Sequence, residues 1–166
     1  MEIYDHKITG MNSYCGGVFQ QALSGLSHLN NDWYDGKEYQ IYAFEYDPGD
    51  KGYVSWYVGK ELTWSADAKS IGPNGNIGQR TMPEEPMTII ANFGMSNGFA
   101  TVDLAGLAPL MPATMRLDYI RVYQDEGEEI LTCDPPGFPT TQYIKDHPEA
   151  YQNPNLTLWS VSGSFC

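Results

Sequence analysis

Helical periodicity is almost absent from this chain, and that constrains its fold more than any single motif. Apolar residues fall instead in short runs rich in β-branched and aromatic side chains. These runs are residues 16–23 (GGVFQQAL), 39–46 (YQIYAFEY), 52–58 (GYVSWYV), 87–95 (MTIIANFGM) and 112–124 (PATMRLDYIRVYQ). Asp35-Gly36, Pro48-Gly49, Gly59-Lys60 and Pro73-Asn74-Gly75 punctuate them with turn chemistry. Many short strands between Gly/Pro turns predict a sandwich or barrel of antiparallel sheets. A single short helix is expected in the tail, capped near Thr140 or Thr141 and stopped by Pro148.

Strand parity sharpens this reading. In GYVSWYV, Tyr53, Ser55 and Tyr57 share one face and Val54, Trp56 and Val58 the other. The 112–124 run is stranger: Met115, Leu117 and Tyr119 share one parity, then Ile120 and Val122 take the opposite one. Either a bulge resets the register there or both faces of that strand are covered.

At 166 residues, with 42% hydrophobic and 13% aromatic content, the chain is long enough for one domain with a sizeable core. Its formal charge of −12 disfavours nucleic acid and anionic lipid as partners and points to a neutral ligand. No apolar run reaches membrane-spanning length, and residues 1–20 lack a signal-peptide pattern. Met1 runs straight into a patterned strand, so the chain reads as a fragment. From about Glu126 the character changes to an irregular, proline-rich tail. The expected division is therefore a sandwich part over residues 1–125 and a tail over 126–166.

Of the three cysteines, Cys133 opens the tail and Cys166 closes it, which suits a disulfide in an oxidising compartment; the plainer alternative is three unrelated thiols. Asn155-Leu156-Thr157 is an N-glycosylation acceptor. No Cys/His spacing implies a metal, and no cofactor motif is present: the glycine-rich stretch 72–78 (GPNGNIG) lacks the following Lys-Ser/Thr and reads as a hairpin loop. Aromatic rings interleaved with Gln, Asn and Glu on several strands fit an uncharged polar ligand such as a sugar, although each tryptophan taken singly reads as core. Paired glycosidase carboxylates are not found. Glu45, Asp47 and Asp50 approximate the spacing, but Pro48-Gly49 assigns both aspartates to a turn.

The segments GGVFQQA, YAFEYDPGDKGYVSWYV, EEPMTIIANFGMS, PATMRLDYIRVYQ, LTCDPPGFPT and YQNPNLTLW resemble the fungal β-glucan synthesis-associated proteins, related to glycoside hydrolase family 16. The resemblance implies an all-β, concanavalin-like jelly-roll sandwich with glucan across its concave sheet. It further implies a parent that is a type II membrane protein of the secretory pathway, assisting β-1,6-glucan synthesis at the cell wall. The family's catalytic E-x-D-x-x-E strand would precede GGVFQQA, and nothing before Gly16 matches it, so no catalytic residue is assigned. Gln20, Glu45 and Asn92 match family positions and are expected to line the acceptor side, with Trp33, Trp56 and Trp64 as stacking candidates. The implied function is a glycosidase-like domain inactive by itself. The alternative is a non-catalytic glucan-binding or scaffold module.

Overall fold

A computed structural model describes residues 1–16, 22–29 and 38–156. The pattern of 52–67 produces a hairpin directly: β5 (Tyr53–Val58) and β6 (Glu61–Asp67) pair antiparallel across the two-residue turn Gly59-Lys60. Gly59 sits at φ +68°, a left-handed conformation that glycine enters without a Cβ penalty. β4 (Tyr42–Asp47) pairs on the outer side of β5, and β1 (Glu2–Ile3) on the far side of β6, in the order β1-β6-β5-β4. β2 (Thr9–Met11) and β3 (Gly25–Ser27) form a separate two-stranded ladder, tied by a 2.7 Å contact between the Thr9 and Ser27 hydroxyls.

The ladder between β5 and β6 carries a bulge. Val58 faces Glu61 and Tyr57 faces Leu62, but Trp56 faces Trp64, which leaves Thr63 as the extra residue. Thr63 is wholly buried, and its Oγ1 donates to the Trp56 carbonyl at 3.0 Å. Beyond the bulge Trp64 and Ala66 share the side of Val54 and Trp56, where Ala68 and Met82 complete the buried cluster. Ile3, Leu23 and Ile71 pack against its margin. The 3₁₀ turn Ala68–Ile71 is capped by Asp67, whose Oδ1 accepts from the Ser70 backbone at 3.1 Å and the Ser70 hydroxyl at 2.9 Å. The Ser70 hydroxyl is the main cause that holds the Asp67 carboxyl below its usual pKa.

Several expectations meet their outcome here. The 72–78 stretch forms the expected tight hairpin, with Asn74 and Ile77 exchanging two 2.9 Å backbone bonds. Asp47 is corrected from turn to strand: it is the last residue of β4, opposite Tyr53, and only Asp50 belongs to the turn. The 87–95 and 112–124 segments carry no ladder, and Ile90, Phe93, Leu117 and Val122 are all exposed. A strand forms only where a neighbouring strand takes up its backbone groups, and among the described residues no strand pairs with these segments. Tyr119 and Ile120, on either side of the phase reversal, are both exposed, and no ladder bulge accounts for it among the described residues. Most of the expected strand at 16–23 lies outside the described residues.

The chain divides into two units. One comprises Met1–Glu84 with Leu104–Tyr119 and contains both sheets and α1 (Leu104–Leu107). The other comprises Glu85–Asp103 and the chain from Ile120 onward. In the second, the expected tail helix forms as α2 (Thr140–Asp146), and Pro148 opens α3 (Pro148–Gln152). Its cap comes from an unexpected place: Asp134 Oδ1 accepts from the Thr141 backbone at 2.6 Å. Bonding to Thr141, the hydroxyl foremost, lowers the Asp134 pKa.

Candidate functional site

The four-stranded sheet has two chemically distinct faces, and register decides which residues each receives. On the apolar face Tyr42 lies opposite Val58, Phe44 opposite Trp56 and Tyr46 opposite Val54. Trp56 and Trp64 stack there with ring centroids 3.8 Å apart and planes within 8°. Gly25 approaches the same Trp64 indole: a Cβ there would lie 2.8 Å from Nε1, 2.9 Å from Cδ1 and 3.0 Å from Cε2. Near-equal distances to three atoms of the five-membered ring place this approach over the ring rather than at its rim. Trp64 therefore sits between a glycine and a tryptophan, only 7% exposed. An apolar cavity of about 310 Å³ beside the pair is lined by Leu23, Ile71, Met82 and Pro83 among others.

The opposite face is polar and bears tyrosines. Glu45 lies across from Ser55, Ser55 from Ser65, and Ser65 from Glu2, a transverse row over all four strands. Asp47, Tyr53 and Asp67 form the adjacent row. The Tyr57 hydroxyl donates to Glu45 Oε2 at 2.6 Å, a short charge-assisted bond that fixes both side chains. This bond to Glu45 is the first cause that raises the Tyr57 pKa, because ionising the phenol would break it and set two anions together. Tyr4 does the same at the other side, donating to Glu2 Oε2 at 3.1 Å with Ser65 Oγ 3.0 Å away. A shallow, open cavity of about 330 Å³ lies over Glu2, Tyr53, Ser55, Ser65 and Asp67.

Of the residues singled out from sequence, the structure brings Glu45 onto the polar face and Trp56 and Trp64 onto the apolar one. Asn92 is exposed and belongs to the second unit. Gln20, Trp33 and Cys166 lie outside the described residues. Cys15 and Cys133 are exposed and are not joined to each other, and Asn155 is exposed, with its backbone N–H bonded to Asn153 Oδ1 at 3.0 Å. Sequence reasoning missed Tyr4, Ser65, Glu2 and Asp67 as residues of the sheet face that carries Glu45. Only the parity of Tyr53, Ser55 and Tyr57 hinted at such a face. Among the described residues no group of three or more acidic, histidine or cysteine side chains is placed to hold a metal ion. None of their helices is long and apolar enough to cross a membrane.

Tyrosine rings set among carboxylates and hydroxyls suit an uncharged, hydroxyl-rich ligand: rings cover its apolar faces and fixed oxygens accept its O–H groups. The chain belongs to the β-glucan synthesis-associated protein family SKN1/KRE6/Sbg1, whose profile matches residues 1–165. It is 45% identical to the β-glucan synthesis-associated protein KRE6 of Saccharomyces cerevisiae, over 98% of this chain and 23% of that protein. To the SKN1 protein of Candida albicans it is 44% identical, over 98% of this chain and 22% of the relative. The chain thus spans less than a quarter of the length of these curated relatives. No solved structure matches it.

Proposed function

We propose that this chain is a glucan-contacting portion of a longer cell-wall β-glucan synthesis protein and that it catalyses nothing by itself. The observation that carries the reading is Glu45, clamped by Tyr57 on an open sheet face rich in hydroxyls. The architecture is one layer of a jelly-roll sandwich. In its support, β4 leaves Phe44 63% exposed on the apolar face, a surface that an opposing sheet would bury. The relatives' role in β-glucan synthesis supports a secretory or cell-wall setting, where an N-glycan on Asn155 also belongs. Retaining glycoside hydrolysis needs two carboxylates converging on the bond, and the sequence holds no E-x-D-x-x-E strand to provide them. Titration calorimetry of the purified chain with laminarin and pustulan is expected to show binding without release of reducing sugar. Sugar release would refute the non-catalytic assignment, and an absence of binding to either polymer would refute glucan contact.

In the same oxidising setting the tail is held by a Cys133–Cys166 disulfide, on the ground that the two residues bracket it. Closing a loop of that size contributes about 3–4 kcal/mol on the loop-entropy argument. Non-reducing peptide mapping should recover the linked pair, and recovery of both thiols alkylated would remove the bond.

A further inference from the structure

We propose that the turn at Asn97-Gly98 is a self-modifying site, where the Asn97 side-chain amide becomes a carboxylate through attack by the next backbone nitrogen. The chain holds two Asn-Gly pairs, Asn74-Gly75 and Asn97-Gly98, in which no Cβ shields the nitrogen that follows the asparagine. The fold treats them differently. Asn74 is locked into its small hairpin by the two 2.9 Å backbone bonds it exchanges with Ile77, and Gly75 is held at φ +55°. Asn97 and Gly98 are exposed, and both reacting groups carry a bond that favours acyl transfer. Asn97 Oδ1 accepts from the Val102 backbone N–H at 2.9 Å. That donor draws electrons from the side-chain carbonyl carbon and stabilises the oxyanion that forms on attack. The Gly98 N–H, whose proton must leave, is donated to Ser96 Oγ at 3.1 Å.

The step consumes one water and releases one ammonia. Gly98 N bonds to Asn97 Cγ, and its proton passes through the Ser96 hydroxyl to solvent. The bond from Cγ to the side-chain nitrogen breaks, and the nitrogen leaves as ammonia. Water then opens the five-membered imide at either carbonyl, which yields an aspartyl or an isoaspartyl residue. Nucleophile and electrophile sit on adjoining residues, so the reaction gains from proximity as any intramolecular acyl transfer does. Ser96 is fixed for its part because its carbonyl accepts from the Phe99 N–H at 3.0 Å and the Ala100 N–H at 3.1 Å. Its hydroxyl lies so near Gly98 that a Cβ there would stand 3.3 Å from Oγ. The product adds one negative charge to a chain already at −12. The isoaspartyl form also threads an extra carbon into the main chain, which opens the turn closed on the Ser96 carbonyl.

The test is peptide mapping by mass spectrometry of the full chain during incubation at mildly alkaline pH, both native and in guanidinium chloride. In the native chain Asn97 should convert at least as fast as in denaturant, while Asn74 falls well behind its own denatured rate. Ser96→Ala should slow Asn97 about three- to tenfold in the native chain, the rate equivalent of one neutral hydrogen bond. The same variant should leave the denatured rate unchanged, which separates the role of the hydroxyl from an effect of sequence alone. Gly98→Ala should slow conversion in both states, because its methyl shields the nitrogen. Circular dichroism checks each fold, and should Ser96→Ala misfold, the native and denatured rates of the unaltered chain decide. Asn97 protected by folding overturns the proposal, and so does a native rate indifferent to Ser96→Ala.

Discussion

Replacing Trp64 by alanine is expected to remove about 3–5 kcal/mol of folding stability, the range for deleting a large buried aromatic. The indole is stacked on Trp56 at 3.8 Å, so its loss strips one face of that ring as well as leaving a void. Little can collapse into the space. Gly25, on the other side, has no side chain to advance, and Ala66 and Ala68 nearby are small. Urea unfolding followed by far-UV circular dichroism measures the loss, and a midpoint equal to that of the unaltered chain would show that the stack contributes nothing. The sequence offered a different expectation, a ring stacking on glucan. With its neighbours on both sides, Trp64 has no open face to give a sugar.

Gly52→Ala is the second large effect. A Cβ at Gly52 would stand 2.2 Å from the Asp47 carbonyl oxygen and 2.7 Å from the Pro48 carbonyl carbon. Those are backbone atoms of the turn between β4 and β5, so relief requires the turn to open rather than a side chain to swing aside. The cost should reach the upper end of the ~1–3 kcal/mol usual for overpacking, or exceed it. The damage should be local: the β4–β5 ladder frays and the Glu45–Ser55 pairing goes with it. Hydrogen exchange reads this directly, with the Ala43 and Glu45 amides, which point at β5, losing protection ahead of those in β6. Wild-type protection through β4 in the alanine variant would mean that the turn has room that its geometry denies.

How much of this was written in the sequence depends on range. The hairpin of β5 and β6, the turn at Gly59-Lys60 and the small hairpin at 72–78 are local events, and alternation with turn residues announces them. The tail helix was equally legible, but its cap was not. Asp134 reaches Thr141 from seven residues upstream, beyond any adjacent capping template. Alternation also says that two faces exist without saying which one is inside. The tyrosine row illustrates this, because Glu45, Ser55, Ser65 and Glu2 are brought together only by pairing across three ladders. The strands expected at 87–95 and 112–124 do not form: both runs have β-forming composition, but composition supplies no neighbour to pair with.

Thr63 has one more consequence. Counted in phase from the two-residue turn, β6 would set Thr63 opposite Trp56 and Trp64 opposite Ser55, delivering the indole among the tyrosines and Ser65 to the apolar side. The extra residue exchanges those destinations, so the hairpin has two competing alignments one step apart, and the simpler one is inside out. What separates them is a methyl-bearing hydroxyl with no solvent exposure and one 3.0 Å bond to the Trp56 carbonyl. The two alignments share the pairs Val58–Glu61 and Tyr57–Leu62 and part at the third, so the burial of Thr63 decides which face of the sheet every later residue of β6 joins.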